Sequence, residues 1–132
     1  GVKDSSYNLF ENLKIDNFSV LPGSESKLLK GLQLGCSGII TATCNATSAL
    51  ARKVYDDFHD GNDQTANQNL CDVRAEFEKY NLISGLHTYF SKGEIYYKNL
   101  LPPLSILNSM DEKDLINNLE KLNFPLKKTK AA

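Results

Sequence analysis

The segment Gly38-Ile39-Ile40-Thr41-Ala42-Thr43 constrains the fold of this chain more than any other. It is short, apolar and β-branched, without the alternation of a half-solvated strand, which suits a strand covered on both faces. Helices on either side of such a strand imply a parallel sheet with right-handed crossovers. Two further segments fit the same sheet. Gly1–Asp4 reads as a strand end, and Phe18-Ser19-Val20-Leu21-Pro22 as a short strand closed by Gly23. Between them, Ser5 and Ser6 are placed to cap a helix over 7–14 carrying Leu9, Phe10 and Leu13. Ser24 caps a second helix with Leu28, Leu29 and Leu32, and Gly35 is its stop. The order is then β-α-β-α-β, with connections of only a few residues.

The second half reads as helical. Thr47 or Ser48 opens a helix in which Leu50, Val54 and Phe58 fall four apart, ending near Asp60-Gly61. Ala66, Leu70, Val73 and Phe77 mark a long helix over 63–79. Leu82 to Phe90 forms a third apolar segment that stops by Gly93. Pro102-Pro103 forces an extended passage, and Ser109 with Glu112 forms a capping box for a last helix carrying Leu115, Ile116, Leu119 and Leu122. The expected organisation is three βα units over 1–61, helices over 62–124 and a frayed tail over 125–132. Three strands cannot close a sheet, and parallel strands covered on both faces need neighbours at each edge. The chain therefore reads as the C-terminal part of a larger α/β sheet or barrel; it also lacks an initial Met, as a processed product or a piece of something longer would.

Composition narrows the function classes. Fifteen basic against sixteen acidic residues leave a net charge of -1, without the positive field of a nucleic-acid binder or a polybasic membrane anchor. No apolar run approaches the ~18–20 residues of a membrane-spanning helix. Cys36, Cys44 and Cys71 are an odd number without paired spacing, which reads as three reduced, buried or half-buried thiols in a cytoplasmic protein. The triplets Asn17-Phe18-Ser19 and Asn45-Ala46-Thr47 match a glycosylation pattern but carry little weight without a secretory signal. His59 and His87 have no partners at metal-ligand spacing and read as surface or helix-packing side chains, so no metal is expected. No phosphate loop, Ser-His-Asp order or dinucleotide fingerprint is present.

The residue with most chemical potential is Lys3. At the carboxyl end of a barrel strand an amine points into the mouth where such folds place their active sites. When desolvated it can become nucleophilic and condense with a ketone. On the residues alone, the commoner reading of a lysine near a terminus is a solvated charge.

Three linked motifs add to this: Gly1-Val2-Lys3-Asp4-Ser5-Ser6, Leu21-Pro22-Gly23-Ser24-Glu25, and Leu34-Gly35-Cys36-Ser37-Gly38-Ile39-Ile40-Thr41-Ala42-Thr43-Cys44-Asn45. Their order and separation resemble the sixth, seventh and eighth strands of the dihydrodipicolinate synthase/N-acetylneuraminate lyase family of class I aldolases. The helical remainder to about Phe124, including Leu101-Pro102-Pro103-Leu104, resembles the C-terminal helices of that family. The likeness covers nearly the whole chain but only the second half of such an enzyme.

The resemblance implies the C-terminal half of a (β/α)8 TIM barrel followed by helices. It implies that Lys3 forms an imine with pyruvate or another 2-oxo acid, whose protonated nitrogen serves as electron sink while an aldehyde is condensed or released. No cofactor is then needed. By the same matching Gly23 brings backbone close to the 2-oxo acid, or is a plain strand-to-helix turn. Ile40 packs beside the imine and helps desolvate Lys3, with Thr41 adjoining. Ser5 faces the substrate or caps a helix. Ser24 and Glu25 grip distal hydroxyls, or Glu25 favours a helix N-terminus. A synthase-like activity and a 2-keto-3-deoxy sugar-acid aldolase or dehydratase, or N-acetylneuraminate lyase-like, activity are the alternatives. Leu101 stands where members often carry arginine. The dicarboxylate-binding arginine, the tyrosine relay and the carboxylate-binding turn belong to the first half, which this sequence lacks. The missing N-terminal half of the barrel is thus an expected partner, a homo-oligomer is expected, and these 132 residues alone are expected to be a catalytically silent structural half, aggregated or swapped.

Overall fold

The computed structural model describes residues 1–124 and Leu126. Strand β1 (Val2–Asp4) pairs in parallel with β2 (Val20–Pro22), in the register Val2 with Val20, Lys3 with Leu21 and Asp4 with Pro22. A 3-10 turn over Glu25–Lys27 leads into α1 (Leu28–Gln33). Then follow α2 (Cys44–Asp60), α3 (Asn67–Glu78), α4 (Leu82–Ser91) and α5 (Ser109–Lys121). The chain divides into two compact units, one from Gly1 to Arg74 and one from Ala75 onward.

Within the first unit the two strands and α1 lie as the sequence predicts. Ser24 caps the 3-10 turn through its side chain, and Gly35 ends the helical passage at φ +88°. Leu28, Leu32, Ala51, Val54, Ala66 and Leu70 form one buried cluster. Each large side chain there is worth about 1.5–3 kcal/mol on burial. Phe10, Val20 and Cys36 form a second.

Two expectations fail in this unit. No helix forms over 7–14. The Asp4 carboxylate accepts from the backbone N–H of Leu9 at 2.9 Å and of Phe10 at 3.0 Å, and Tyr7 takes φ 60°, a left-handed conformation that interrupts a right-handed helix. The chain instead makes turns that still bury Phe10. The second failure is the third strand: Gly38–Thr43 forms no ladder. One backbone bond, from Ile40 N to Pro22 O at 3.1 Å, joins it to β2. In an extended strand the N–H and C=O of one residue face the same edge, and Pro22 has no N–H to return the bond. Gly38 at φ +145° also leaves the conformation open to other residues. What was read as a three-stranded half-barrel is therefore, among the described residues, a two-stranded parallel sheet with a third segment laid beside it.

Helix α2 starts at Cys44, earlier than Thr47 or Ser48, because Thr43 O already accepts from Ala46 N at 2.8 Å and Thr47 N at 2.9 Å. It ends as expected at Gly61, φ 72°. Helix α3 is shorter at its start than 63–79.

In the second unit, Phe77, Leu86, Tyr89, Leu115 and Leu119 are buried, and Tyr89 lies edge-on to Phe77 and stacked on Phe124. Asn81 caps α4. Asn108, rather than a Ser109–Glu112 box, caps α5 by accepting from Met110 N and Asp111 N at 3.0 Å each. The shift has a simple cause: Asn108 has extended backbone, while Ser109 is already helical. Pro102-Pro103 lies in a turn closed by Leu104 N to Leu101 O at 3.0 Å, with a cis bond between the prolines, not in an extended passage. Apart from Leu126, the tail expected over 125–132 lies outside the described residues.

Candidate active site

Parallel pairing brings the carboxyl ends of β1 and β2 together, and Lys3, Ser5 and Gly23 meet there. Lys3 is exposed, and its Nζ donates to Ser5 Oγ at 2.8 Å, so the two side chains meet on one side of the chain, as the two-residue spacing predicts. Asp4, 1% exposed, points the other way. Besides the Leu9 and Phe10 amides, its carboxylate accepts from Ser6 Oγ at 2.9 Å. Burial pushes the Asp4 carboxyl up, but the bonds from Phe10, Ser6, Leu9 and Tyr7 outweigh it and hold the group below the usual carboxylate range. The turn that follows Lys3 is thus organised by a charge buried one residue away.

A pH dependence follows from that depressed value. The Asp4 contribution is fully present above the unfolded carboxyl value and is lost as pH falls through the lower folded value. An Asp4→Asn variant is expected to be less stable than wild type at pH ~7, with the gap closing below pH ~4. Urea unfolding at both pH values checks this; a gap that does not change with pH contradicts it.

Gly23 donates its N–H to Asp4 O at 2.9 Å. A Cβ there would sit 3.2 Å from Ser5 Oγ and 3.3 Å from Asp4 O, so glycine lets the β2 exit pass against the Lys3–Ser5 segment. Ile40 is 48% exposed and, like Lys3, faces solvent, so the two do not form a dry pocket within these residues.

Ser24 and Glu25 are buried rather than presented to solvent, at 3% and 0% exposure. Ser24 Oγ contacts Ser26 Oγ at 3.1 Å. Glu25 anchors a polar network inside the unit. Its Oε1 accepts from Thr43 Oγ1 at 2.5 Å and Thr47 Oγ1 at 2.8 Å, and its Oε2 from Thr41 Oγ1 at 2.9 Å. Arg74 Nη1 lies 3.3 Å from Glu25 Oε2 and donates to Thr41 Oγ1 at 2.9 Å and Thr43 Oγ1 at 2.7 Å. A carboxylate only accepts and a guanidinium only donates, so the Thr41 and Thr43 hydroxyls each receive from Arg74 and give to Glu25.

The sequence reading singled out Glu25 and Thr41 but missed Thr43, Thr47 and Arg74. A signal existed for Arg74: it follows Leu70 by four residues, on the stripe defined by Ala66, Leu70, Val73 and Phe77. An arginine on such a stripe calls for a buried acceptor.

The cysteines do not offer a competing nucleophile. Burial, reinforced by the Glu25 carboxylate, pushes the Cys44 thiol up to about 11, and burial also raises Cys36 and Cys71. All three thiols are free. His59 packs against the Tyr55 and Phe58 rings, and His87 Nδ1 lies 2.8 Å from Tyr97 O. Among the described residues no three His, Cys, Asp or Glu side chains are grouped to hold a metal ion, and no helix is long and apolar enough to cross a membrane.

The Dihydrodipicolinate synthetase family model matches residues 1–122. The chain belongs to that family. Two curated relatives, uncharacterised DapA-like lyases from two strains of Halobacterium salinarum, are each 29% identical over 131 residues, covering 94% of this chain and 43% of the relative. Among solved structures, dihydrodipicolinate synthase from Aquifex aeolicus superposes with a TM-score of 0.78 at 22% identity, over 95% of this chain and 45% of that one. The synthase from Agrobacterium tumefaciens gives 0.75 at 23% identity, over 92% and 42%. At these identities the likeness is one of fold. The chain spans less than half the length of the relatives it matches.

Proposed function

We propose that the polypeptide carrying this chain is a Schiff-base lyase or aldolase of the dihydrodipicolinate synthetase family, with Lys3 as its imine-forming residue. The observation that carries this reading is the placement of Lys3 at the paired carboxyl ends of two parallel strands, its amine on Ser5. The Lys3 amine adds to the ketone carbon of pyruvate or another 2-oxo acid, water leaves, and a protonated imine results. The imine nitrogen takes up the electron pair when a proton leaves C3 or the C3–C4 bond breaks, and the enamine so formed is protonated or attacks an aldehyde.

In this reading Ser5 and the Gly23 backbone lie nearest the 2-oxo acid, with Ile40 as the apolar wall. Thr41 adjoins that wall, and Ser24 is buried against Ser26. Glu25 acts through Thr41, since its carboxylate already accepts three hydroxyls and the Arg74 guanidinium. The exposed Ser5 hydroxyl beside Lys3 favours a sugar-acid aldehyde over an apolar one. The family label favours dihydrodipicolinate synthase-like chemistry, and a panel of aspartate semialdehyde, N-acetylmannosamine and glyceraldehyde separates these. The reading includes a cytoplasmic location, in keeping with three free thiols, and a homo-oligomer.

Because Lys3 and Ile40 are exposed in these residues, the dry surroundings an imine site needs come from the remainder of the barrel. The 132 residues alone are therefore expected to be inactive. The test is to treat the full-length protein with pyruvate and borohydride and map the reduced adduct by peptide mass. Labelling at Lys3 is expected; an adduct on another lysine, or none, overturns the assignment.

A further inference from the structure

We infer that Glu25 and Arg74 are positioning residues for the imine site, holding Ile40 and Thr41 beside the carboxyl end of β2, the strand paired with the Lys3 strand, through the Thr41 and Thr43 hydroxyls. The inference rests on the Lys3 reading above and adds to it two residues acting from behind the site.

The sheet does not hold segment 38–43 in place. Its backbone bond to β2 is the single one from Ile40 N to Pro22 O, and Pro22 is in register with Asp4, next to Lys3. Ile39 packs against the Leu28 cluster at the near end of the segment. The polar network supplies the other fixed points. Thr41 and Thr43 flank Ala42, and both hydroxyls turn away from solvent onto Glu25 and Arg74. Thr47, one turn into α2, ties that helix start to the same carboxylate at 2.8 Å. Glu25 itself begins two residues after Gly23, which is bonded to Asp4. One carboxylate thereby joins the β2 exit, segment 41–43 and the start of α2, and Arg74 adds α3.

Stability alone is a weak reason for this arrangement. A buried ion pair is costly to desolvate, and apolar residues of like volume often serve as well or better. What apolar packing lacks is directionality: two donors and three hydroxyls with fixed roles admit one arrangement of 41–43. Ile40 stands immediately before that clamp, so its height over the site is set by it.

The test uses the full-length protein carrying the double substitution Glu25→Gln with Arg74→Met, which removes both charges together, and separately Thr41→Val. Thermal midpoint, the rate of borohydride trapping at Lys3 with pyruvate, and the split between kcat and KM are measured for each. In the double variant the expected result is a midpoint near wild type, with trapping rate and kcat both lowered about tenfold or more and KM for the 2-oxo acid within about threefold, as for a misplaced reacting geometry. Thr41→Val, which leaves both charges in place, should show the same split to a smaller extent. Wild-type trapping in a folded double variant, or in Thr41→Val should the double variant not fold, overturns the inference while leaving Lys3 as the imine residue. Absence of any Lys3 adduct in the wild-type protein overturns both readings.

Discussion

Full-length protein with Lys3 replaced by Met should lose turnover by a factor of ~10⁴ or more, because no other group in the described site can form the imine that accepts the electron pair. The size of the effect follows from the chemistry. A general acid or base can be partly replaced by water, whereas covalent electron-sink catalysis stops when the amine is absent. The cysteines are protonated thiols at neutral pH, with Cys44 pushed up to about 11, so they offer no substitute nucleophile. Met keeps the length and apolar stem of lysine, and Lys3 is exposed with its main polar contact to Ser5, so folding should be unaffected. Steady-state cleavage or condensation assays with pyruvate check the loss, and urea unfolding checks the fold. Activity within about tenfold of wild type would place the imine on another residue.

The second large effect is expected from Arg74→Met alone. Arg74 is 6% exposed, and its guanidinium faces the carboxylate of Glu25, a residue at 0%. Removing the cation leaves the carboxylate buried without its counter-charge and takes one donor from each of the Thr41 and Thr43 oxygens. Breaking one side of a buried pair costs about 3–5 kcal/mol, against about 0–1 for an exposed pair such as Arg52–Asp56. Chemical denaturation of Arg74→Met beside Arg52→Met measures the contrast. Adding Glu25→Gln to Arg74→Met should recover most of the loss, since the orphaned charge is then gone. Equal, small effects for Arg74→Met and Arg52→Met would show that the interior tolerates the lone carboxylate.

The two arginines also show why the interior site was harder to read than the helices. Arg52 lies four residues before Asp56, and that pair is visible in the sequence. Arg74 is 49 residues from Glu25, and nothing local announces the pairing. Its only trace is its position on the apolar stripe of α3, where a charge stands out. Thr43 was read as the end of a strand and Thr47 as the start of a helix, because β-branched residues suit both. Their hydroxyls commit them to Glu25, a choice made by burial rather than by propensity.

The failed helix over 7–14 has the same origin. Leu9, Phe10 and Leu13 have helical spacing, yet Asp4 takes the Leu9 and Phe10 amides and Tyr7 leaves the right-handed region. A single buried carboxylate offers more to these amides than a short, marginal helix does. Conversely, α1, α4 and the end of α2 were legible because their stops and apolar periods are local. Leu82–Ser91 carries its own stripe and its own Asn cap, and Gly61 its own left-handed stop.

Sequence alone therefore determined the family, the helical stretches after residue 24, the pairing of the first two strand segments and the candidacy of Lys3, all of which depend on near neighbours or on ordered motifs. Only the tertiary structure decided that Gly38–Thr43 lies beside the sheet without joining its ladder, that Glu25 faces inward, and that Arg74 holds it. Those outcomes depend on which polar groups lose water together, and desolvation is a property of the packed chain that no local run of residues contains.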